Sequence, residues 1–229
     1  MPTFQKEITE QMRAVLVDWL QDVHLKFKLR PETLFLAVNM MDRYIEKATI
    51  TRKRLQLVGI TCLFIAAKYE EIYPPPLKDF VYVTDRAYKR EDLLDMEGKI
   101  ISALQFKLTV PTSLFFFERF AKVAKLSEKA AMLGRYILES SLLEFKTMRF
   151  NASSLATAAV SIASKVESKE GWNKTISKSP SAEDKSTQEC SSELLEIIKS
   201  NEKRNLTAIR RKYSTMKYLE IARVNLKSL

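Results

Sequence analysis

The sequence offers few side chains that could perform acid–base, nucleophilic or metal chemistry. His24, the only histidine, lies on an amphipathic helical pattern, which favours a surface or interface role over catalysis. Cys62 falls inside an apolar run and Cys190 lies far away in a polar region, so they indicate neither a metal site nor a disulfide. Glu70 and Glu71 are neighbours whose side chains point in different directions on a helix. We expect them to be a solvated helix end rather than an acid–base pair.

Glycine-rich phosphate-binding loops are not found either. The four glycines are isolated along the sequence, which excludes both a GxGxxG turn and a P-loop. We therefore predict no catalytic residues, no metal site and no cofactor, and we expect a protein that acts by binding other proteins. The absence of paired cysteines fits a reducing intracellular compartment.

Residues 55–76 contain the helix around which the first half must pack. Between 57 and 67 the run is apolar except for Gly59 and Thr61, so a helix there has no polar face and must be buried on all sides. The run is shorter than a membrane span and has charged flanks, so no membrane contact is expected. Three prolines at 74–76 end the helix, because proline lacks an amide donor. Side chains that project from this end form a candidate site.

Helical periodicity explains most of the remaining first half. Thr51 suits an N-cap for the central helix, and a short element is expected at 77–83, after the prolines. Further helices are predicted where apolar residues recur at spacings of three and four, over 8–29, 31–47 and 91–106. Together these segments predict a first unit of about five helices.

A hinge at Val110 and Pro111 separates this unit from a second apolar series that starts with phenylalanines at 115–120. The segment IAAKYE at 65–70 reappears as IASKVE at 162–167, each at the end of an alanine-containing helix, which indicates duplication of one helical unit. We predict an all-α protein with domains at 1–109 and 110–229.

The segment 168–192 is rich in Ser, Lys and Glu and poor in apolar residues. Its composition predicts a mobile loop, with order resuming near Glu193. A helix is expected around 194–198, followed by shorter helical pieces at 206–213 and 218–224.

The formal net charge of +10 makes an acidic partner worth considering, nucleic acid included. The Lys and Arg residues are spread along the chain, however, which favours solvated helix faces. The densest cluster, at 210–212, is too short for a nucleic-acid-binding arm. We expect no nucleic-acid partner.

Four segments resemble, in order and in spacing, the cyclin box of the mitotic A- and B-type cyclins. They are MRAVLVDWL at 12–20, LQLVG at 55–59, AKYEEIYPP at 67–75 and DFVYVTD at 79–85. RRKYS at 210–214 and KYLE at 217–220 also resemble the end of a B-type cyclin. The resemblance implies a tandem cyclin fold of two five-helix repeats. The family's helix before the box and its destruction signal have no match among these residues.

The resemblance also implies a kinase-binding surface on the first repeat. In that family the repeat binds the C helix of a cyclin-dependent kinase and moves it into its active position. Lys68 and Glu97 match the two polar residues that grip the backbone of that helix. If partly buried, they need each other or a partner's polar groups, so an internal ion pair and a binding role can coexist. The matching apolar wall, which spacing alone would assign to the core, is Ile65, Tyr69, Ile101, Phe106 and Leu108.

A second implied surface is the groove by which such cyclins dock Arg-x-Leu motifs of substrates and inhibitors. An exposed apolar groove with an acidic residue nearby suits a short peptide that carries arginine. Arg13 and Asp42 match a pair that ties the first two helices together, which is a structural role. The groove residues are Met12, Val15, Trp19, Leu55 and Gln56, with Arg52 and Asp22 at the edge.

The function implied is that of a noncatalytic subunit that forms a heterodimer with a cyclin-dependent kinase, activates it and docks substrates. Such a protein would control mitotic entry from the nucleus and cytoplasm. Two alternatives stay open. One is a DNA-binding protein with a cyclin fold similar to basal transcription factor B, motivated by the positive charge. The other is a cyclin mimic that binds a kinase without activating it.

Overall fold

The computed structural model describes residues 7–166, 185–201 and 204–223. The helices in these ranges are α1 (Glu10–Lys26), α2 (Pro31–Lys47), α3 (Leu55–Glu70), α4 (Leu77–Val83), α5 (Arg90–Ala103), α6 (Ser113–Val123), α7 (Glu128–Ser141), α8 (Ala152–Val166), α9 (Lys185–Ser200) and α10 (Ala208–Tyr213). Short 3-10 helices lie at Arg52–Arg54, Phe145–Arg149, Met216–Tyr218 and Ile221–Arg223. The described residues form no strand, and the predicted all-α class with two five-helix repeats is confirmed.

Contacts between residues divide the chain into a first unit, Met1–Val110, and a second unit, Pro111–Leu229. The first unit holds α1 to α5 and the second holds α6 to α10. The sequence pattern places the same division one residue earlier, between 109 and 110.

The helix α3 is surrounded by the other helices of the first unit. Every residue from 57 to 67 is buried, and α3 packs against α1, α2, α4 and α5. Its approach to α1 is closest at Gly59, where an added Cβ would lie 2.9 Å from both δ carbons of Leu16. Neither α3 nor any other helix in the described ranges is long and apolar enough to cross a membrane. The predicted burial of α3 on all sides is confirmed.

The two ends of α3 are built differently from each other. At its start Arg52–Arg54 form a 3-10 turn, closed by the Arg54 N–H donating to the Thr51 carbonyl at 2.9 Å. Thr51 therefore lies one turn too early to cap α3, and the predicted N-cap is wrong. At its other end Glu71 turns into extended backbone, and α4 begins directly after Pro76.

The connection between α1 and α2 forms hydrogen bonds with the side chains of Glu71 and His24, both of which the sequence pattern places at the surface. The Glu71 carboxylate accepts hydrogen bonds from the Arg30 N–H, at 2.7 Å, and from the Thr33 hydroxyl. His24 is buried, and its Nε2–H donates to the Arg30 carbonyl at 2.9 Å. The predicted surface role of His24 is wrong, because its ring is buried and donates to the backbone of Arg30, six residues further along the chain. Glu71 stays partly exposed, and its carboxylate satisfies the Arg30 N–H at the start of α2.

In the second unit α8 takes the central place, packed against α6, α7 and α9. Its alanines at 156, 158, 159 and 163 are fully buried, so small side chains let these helices approach closely. The repeated hexapeptide ends α3 in the first unit and reaches the last residue of α8 in the second. Its final residue, Glu167, lies outside the described residues.

The helix α9 begins at Lys185, eight residues before the point at which order was expected to resume. The buried residues Thr187, Cys190 and Leu194 recur at helical spacing along it. Thr187 and Cys190 are not strongly hydrophobic, so the composition of this segment does not indicate a buried helix face. The predicted loop is therefore wrong over 185–192. The rest of that prediction, 168–184, lies outside the described residues.

A buried ion pair ties α7 to α10. Lys212 Nζ donates to both carboxylate oxygens of Glu139, each at 2.7 Å, and the Tyr213 hydroxyl donates to the same carboxylate at 2.8 Å. Burial, reinforced by the charge of Glu139, raises the pKa of Tyr213, so this hydroxyl remains a donor. Both charges are almost fully shielded from solvent, so each depends on the other.

The contact between α6 and α7 predicts how two glycines respond to substitution. A Cβ on Gly134 would lie 2.3 Å from ring atoms of the fully buried Phe117, whereas a Cβ on Gly98 in α5 meets nothing within 4 Å. We expect Gly134→Ala to lower the free energy of unfolding by about 1 to 3 kcal/mol because a rigid ring must move. Gly98→Ala should raise it by about 0.5 to 1 kcal/mol. Urea denaturation measures both, and equal stability of the two variants would contradict the packing described.

Candidate protein-binding site

Lys68 and Glu97 meet on the surface of the first unit. Lys68 lies in the last turn of α3, where the helix dipole favours a cation, and Glu97 lies midway along α5. The Lys68 ammonium donates to the Glu97 carboxylate and lies 4.3 Å from the centroid of the Phe64 ring. The two side chains are 42% and 14% exposed, so the carboxylate is mostly shielded while the ammonium can still reach a partner.

Apolar side chains of graded exposure surround this ion pair along α3 and α5. Ile65 is buried and Ile101 is half-buried, whereas Tyr69 and Phe106 are 48% and 76% exposed. The Tyr69 hydroxyl forms a hydrogen bond with the Thr109 hydroxyl, which fixes the orientation of its ring. The predicted wall is therefore part core and part open surface, and its exposed members are large aromatic rings of the kind enriched at protein interfaces.

The turn after α5 places Phe106 and Leu108. Gln105 and Phe106 both have left-handed backbone, with φ of 52° and 56°. The Gln105 N–H donates to the Ser102 carbonyl and the Phe106 N–H to the Ile101 carbonyl, each at 3.0 Å. These two hydrogen bonds cap the C-terminal end of α5. Glycine usually occupies the left-handed position of such a cap, but here two non-glycine residues adopt the strained conformation. The sequence gives no signal for it, because neither residue type favours this conformation.

More exposed apolar surface lies between the end of α3 and the three prolines. Ile72 and Tyr73 project into solvent and are among the most exposed large apolar residues in the described part of the chain. They follow the last turn of α3, which carries Lys68 and Tyr69. The end of α3 thus offers exposed apolar side chains close in sequence to the ion pair.

A separate groove lies at the start of α3. It encloses about 470 Å³ between α1 and the first turn of α3. Six of the seven predicted groove residues line it, together with Gln11 and Leu16, and Asp22 does not. Asp22 lies one turn beyond Trp19 on α1, past the end of the cavity. The six predicted residues that line it are Met12, Val15, Trp19, Arg52, Leu55 and Gln56.

Arg13 points away from the groove and into the unit. Its Nε and Nη2 donate to the two carboxylate oxygens of Asp42 at 2.7 and 2.8 Å. The side chains are only 3% and 13% exposed. This bidentate pair connects α1 to α2 and holds α1 in the position that forms one wall of the groove.

The described residues bring together no group of three His, Cys, Asp or Glu side chains that could hold a metal ion. Cys62 and Cys190 are both buried. Burial raises the pKa of Cys62, and it raises that of Cys190 to about 12, so both thiols stay protonated and unreactive at neutral pH.

Known protein families match both units. A model of the cyclin N-terminal domain matches residues 1–109, and a model of the cyclin C-terminal domain matches residues 111–226. The chain is 41% identical to a G2/mitotic-specific cyclin-B of Dictyostelium discoideum over 96% of its own length and 51% of that protein. It is 40% identical to Cyclin-B2-1 of Arabidopsis thaliana, again over 96% of its length and 51% of the relative. The chain thus spans about half the length of these relatives.

Solved structures share the fold. A viral cyclin from herpesvirus saimiri matches with a TM-score of 0.69 at 18% identity, over 83% of this chain and 88% of that chain. The yeast RNA Pol II CTD kinase CTDK-1 complex contains a chain that matches with a TM-score of 0.70 at 17% identity, over 90% of this chain and 76% of that chain.

Two ion pairs of the first unit, Arg13–Asp42 and Lys68–Glu97, should contribute very differently to stability. Arg13→Gln would leave Asp42 without its bidentate partner in a shielded position, so we expect a loss of about 3 to 5 kcal/mol. Lys68→Gln removes a half-exposed partner and should cost less than about 1 kcal/mol. Urea denaturation of both variants tests this difference. A loss at Lys68 as large as that at Arg13 would mean that the surface pair is structural.

Proposed function

The chain belongs to the cyclin family, and from that premise we propose that it binds and activates a cyclin-dependent serine/threonine kinase as its noncatalytic subunit. The observation that carries the proposal is the half-exposed Lys68–Glu97 pair with aromatic side chains around it. The B-type relatives support control of mitotic entry. Action in the nucleus and cytoplasm belongs to the same proposal.

The pair suits the backbone of a partner helix. The Lys68 ammonium has donors to spare beyond the one that it gives to Glu97, and the Glu97 carboxylate has acceptor positions to spare. A kinase helix laid across α3 and α5 can use both, while its apolar side chains cover Tyr69 and Phe106. The partner gains hydrogen bonds without either charge of the pair being left unpaired.

Activation follows as a population shift. A kinase is active when its catalytic Lys and Glu can pair, and a subunit that binds only the conformation with this pair formed will favour that conformation. In this proposal the chain supplies no group to phosphoryl transfer and is not itself an enzyme.

The groove between α1 and α3 serves substrate docking in the same proposal. Its wall is mainly apolar, with Val15 exposed along α1 and Trp19 half-buried beside it. A leucine side chain can fill such a groove, and the arginine of an Arg-x-Leu motif would reach toward Asp22 beyond its end. The occupants would be substrates or inhibitors that carry this motif.

Removing the ion pair should abolish kinase binding. We expect Lys68→Ala combined with Glu97→Ala to prevent co-elution with a monomeric cyclin-dependent kinase, because the hydrogen-bonding groups for its helix are gone. Circular dichroism should show unchanged helicity. The matched control is Asp95→Ala with Lys99→Ala, which removes another exposed ion pair from α5. If the control pair alone disrupts co-elution, the binding surface has been assigned incorrectly.

Docking should be separable from kinase binding. Val15→Lys places a cation in the groove at an exposed helical position, so we expect at least about tenfold weaker binding of a fluorescent Arg-x-Leu peptide and unchanged co-elution with the kinase. Val123→Lys makes the same change at an exposed valine of α6 and should leave peptide affinity unaltered. Fluorescence anisotropy measures the affinities. Unaltered affinity in Val15→Lys would remove the groove from the proposal.

A further inference from the structure

Another cavity of the first unit lies where α4 runs into the loop before α5. It encloses about 490 Å³ and is lined by the side chains of both segments. Lys89, on its wall, precedes the first turn of α5, and Glu97 lies about 12 Å further along the helix axis. The cavity shares no lining residue with the groove of α1 and α3. It is therefore distinct from both surfaces described above.

The lining of this cavity is strongly cationic. Lys78, Arg86 and Lys89 contribute three positive charges, against the single carboxylate of Asp79. None of the three cations forms an ion pair with any of the residues that the structure describes. A fourth cation, Lys26, lies 5.5 Å from the centroid of the Tyr82 ring on the cavity wall. An excess of positive charge, with no ion pair to these cations within the described ranges, favours an anionic ligand.

The cavity is held in shape by hydrogen bonds of its loop and of Tyr88. The Asp85 N–H donates to the Tyr82 carbonyl at 3.0 Å, and the Tyr88 hydroxyl donates to the Lys53 carbonyl at 3.0 Å. Tyr82 itself is 66% exposed, and its hydroxyl makes no hydrogen bond with the described residues. The cavity thus presents an available hydroxyl donor beside its cations.

The backbone turn that carries Arg86 is left-handed. Asp85 and Arg86 are consecutive residues with left-handed backbone, at φ of 54° and 57°, and neither is a glycine. Such a conformation costs free energy and persists where the surrounding structure imposes it, often at binding sites. Here the strained turn delivers a guanidinium to the cavity without an ion pair among the described residues to compensate.

We propose that this cavity binds a phosphorylated serine or threonine side chain of a peptide segment. A phosphate carries a charge of about −2 and three acceptor oxygens. The guanidinium fork of Arg86, the two ammonium groups and the Tyr82 hydroxyl supply matching donors around one concave site. A carboxylate has fewer oxygens and half the charge, so it would use only part of this donor set.

Nucleic acid fits the arrangement less well. Proteins that bind it follow a row of phosphates with a stripe of cations and make many separate contacts. The three cations instead line a single cavity. A chain with one isolated phosphate therefore matches the site better than a continuous phosphate backbone.

The role of this phosphopeptide binding rests on the proposed function as a kinase subunit. A kinase bound to this chain produces phosphoserine and phosphothreonine, and a subunit that retains such a product would keep it close for further phosphorylation. Binding of the phosphopeptide itself requires no kinase, so the site can be tested on the isolated chain.

The test is fluorescence anisotropy with a labelled short peptide that carries one phosphothreonine among glycine, serine and alanine residues. We expect the chain to bind it at least about tenfold more tightly than the unphosphorylated peptide. Lys78→Gln, Arg86→Gln and Lys89→Gln together should remove that preference. The matched control removes the same charge from exposed residues of the second unit, with Arg119→Gln, Lys122→Gln and Lys129→Gln, and should retain it.

Equal affinity for the phosphorylated and unphosphorylated peptides would overturn the proposal, as would an equal loss in the two triple variants. Tighter binding of a short duplex DNA, lost in the cavity variant alone, would reassign the cavity to nucleic acid and overturn it as well. Co-elution of the unmutated chain with the kinase is measured separately. Its failure would refute the proposed function while leaving the peptide result valid.

Discussion

The first unit depends on one constraint, which is that α3 has no polar face. A helix that cannot turn any side toward water must be enclosed, and α1, α2, α4 and α5 supply the enclosure. Only its ends can reach the surface, and both candidate surfaces lie there. The first turn lines the groove with Leu55 and Gln56, and the last turn carries Lys68 and Tyr69. About 20 Å of rigid helix separates the two surfaces and holds them at a fixed spacing.

The second unit also encloses a central helix, α8, but packs it with smaller side chains. Buried alanines of α8 let the neighbouring helices approach closely. Water is therefore excluded by close packing of small side chains rather than by large ones. A buried ion pair between Glu139 and Lys212 then joins α7 to the chain that follows α9. Such a pair adds little net stability but makes alternative packings costly, because either charge alone would be stranded. The two similar hexapeptides thus lie at the ends of central helices with different surroundings.

Sequence reasoning succeeded where a pattern is local and strong. The continuous apolar run of α3, the proline stop and the helical spacing of α1, α2 and α5 are each determined by neighbours in the chain. It failed where a contact depends on how the chain turns back on itself. No local pattern indicates that the backbone of Arg30 pairs with the side chains of His24, six residues away, and Glu71, 41 residues away, and nothing in a polar stretch reveals that Cys190 is buried.

The binding surfaces show the same limit. Met12 and Trp19 have the periodicity of a packing face, so periodicity alone could not distinguish a groove from a core. The ion pair of Lys68 and Glu97 joins residues on different helices, and only the fold brings them together. The left-handed turn that projects Phe106 depends on hydrogen bonds to the preceding helix and not on residue type. The resemblance to the cyclin box located these positions, and the structure supplies the geometry that relates them.

The most direct test mixes the purified chain with a monomeric, inactive cyclin-dependent kinase and measures phosphorylation of a histone-type substrate together with co-elution. The account predicts a stable complex with kinase activity far above that of the monomer. A stable complex without activity would contradict activation and indicate a kinase-binding mimic. Failure to form any complex would contradict the assignment of the surface around Lys68 and Glu97.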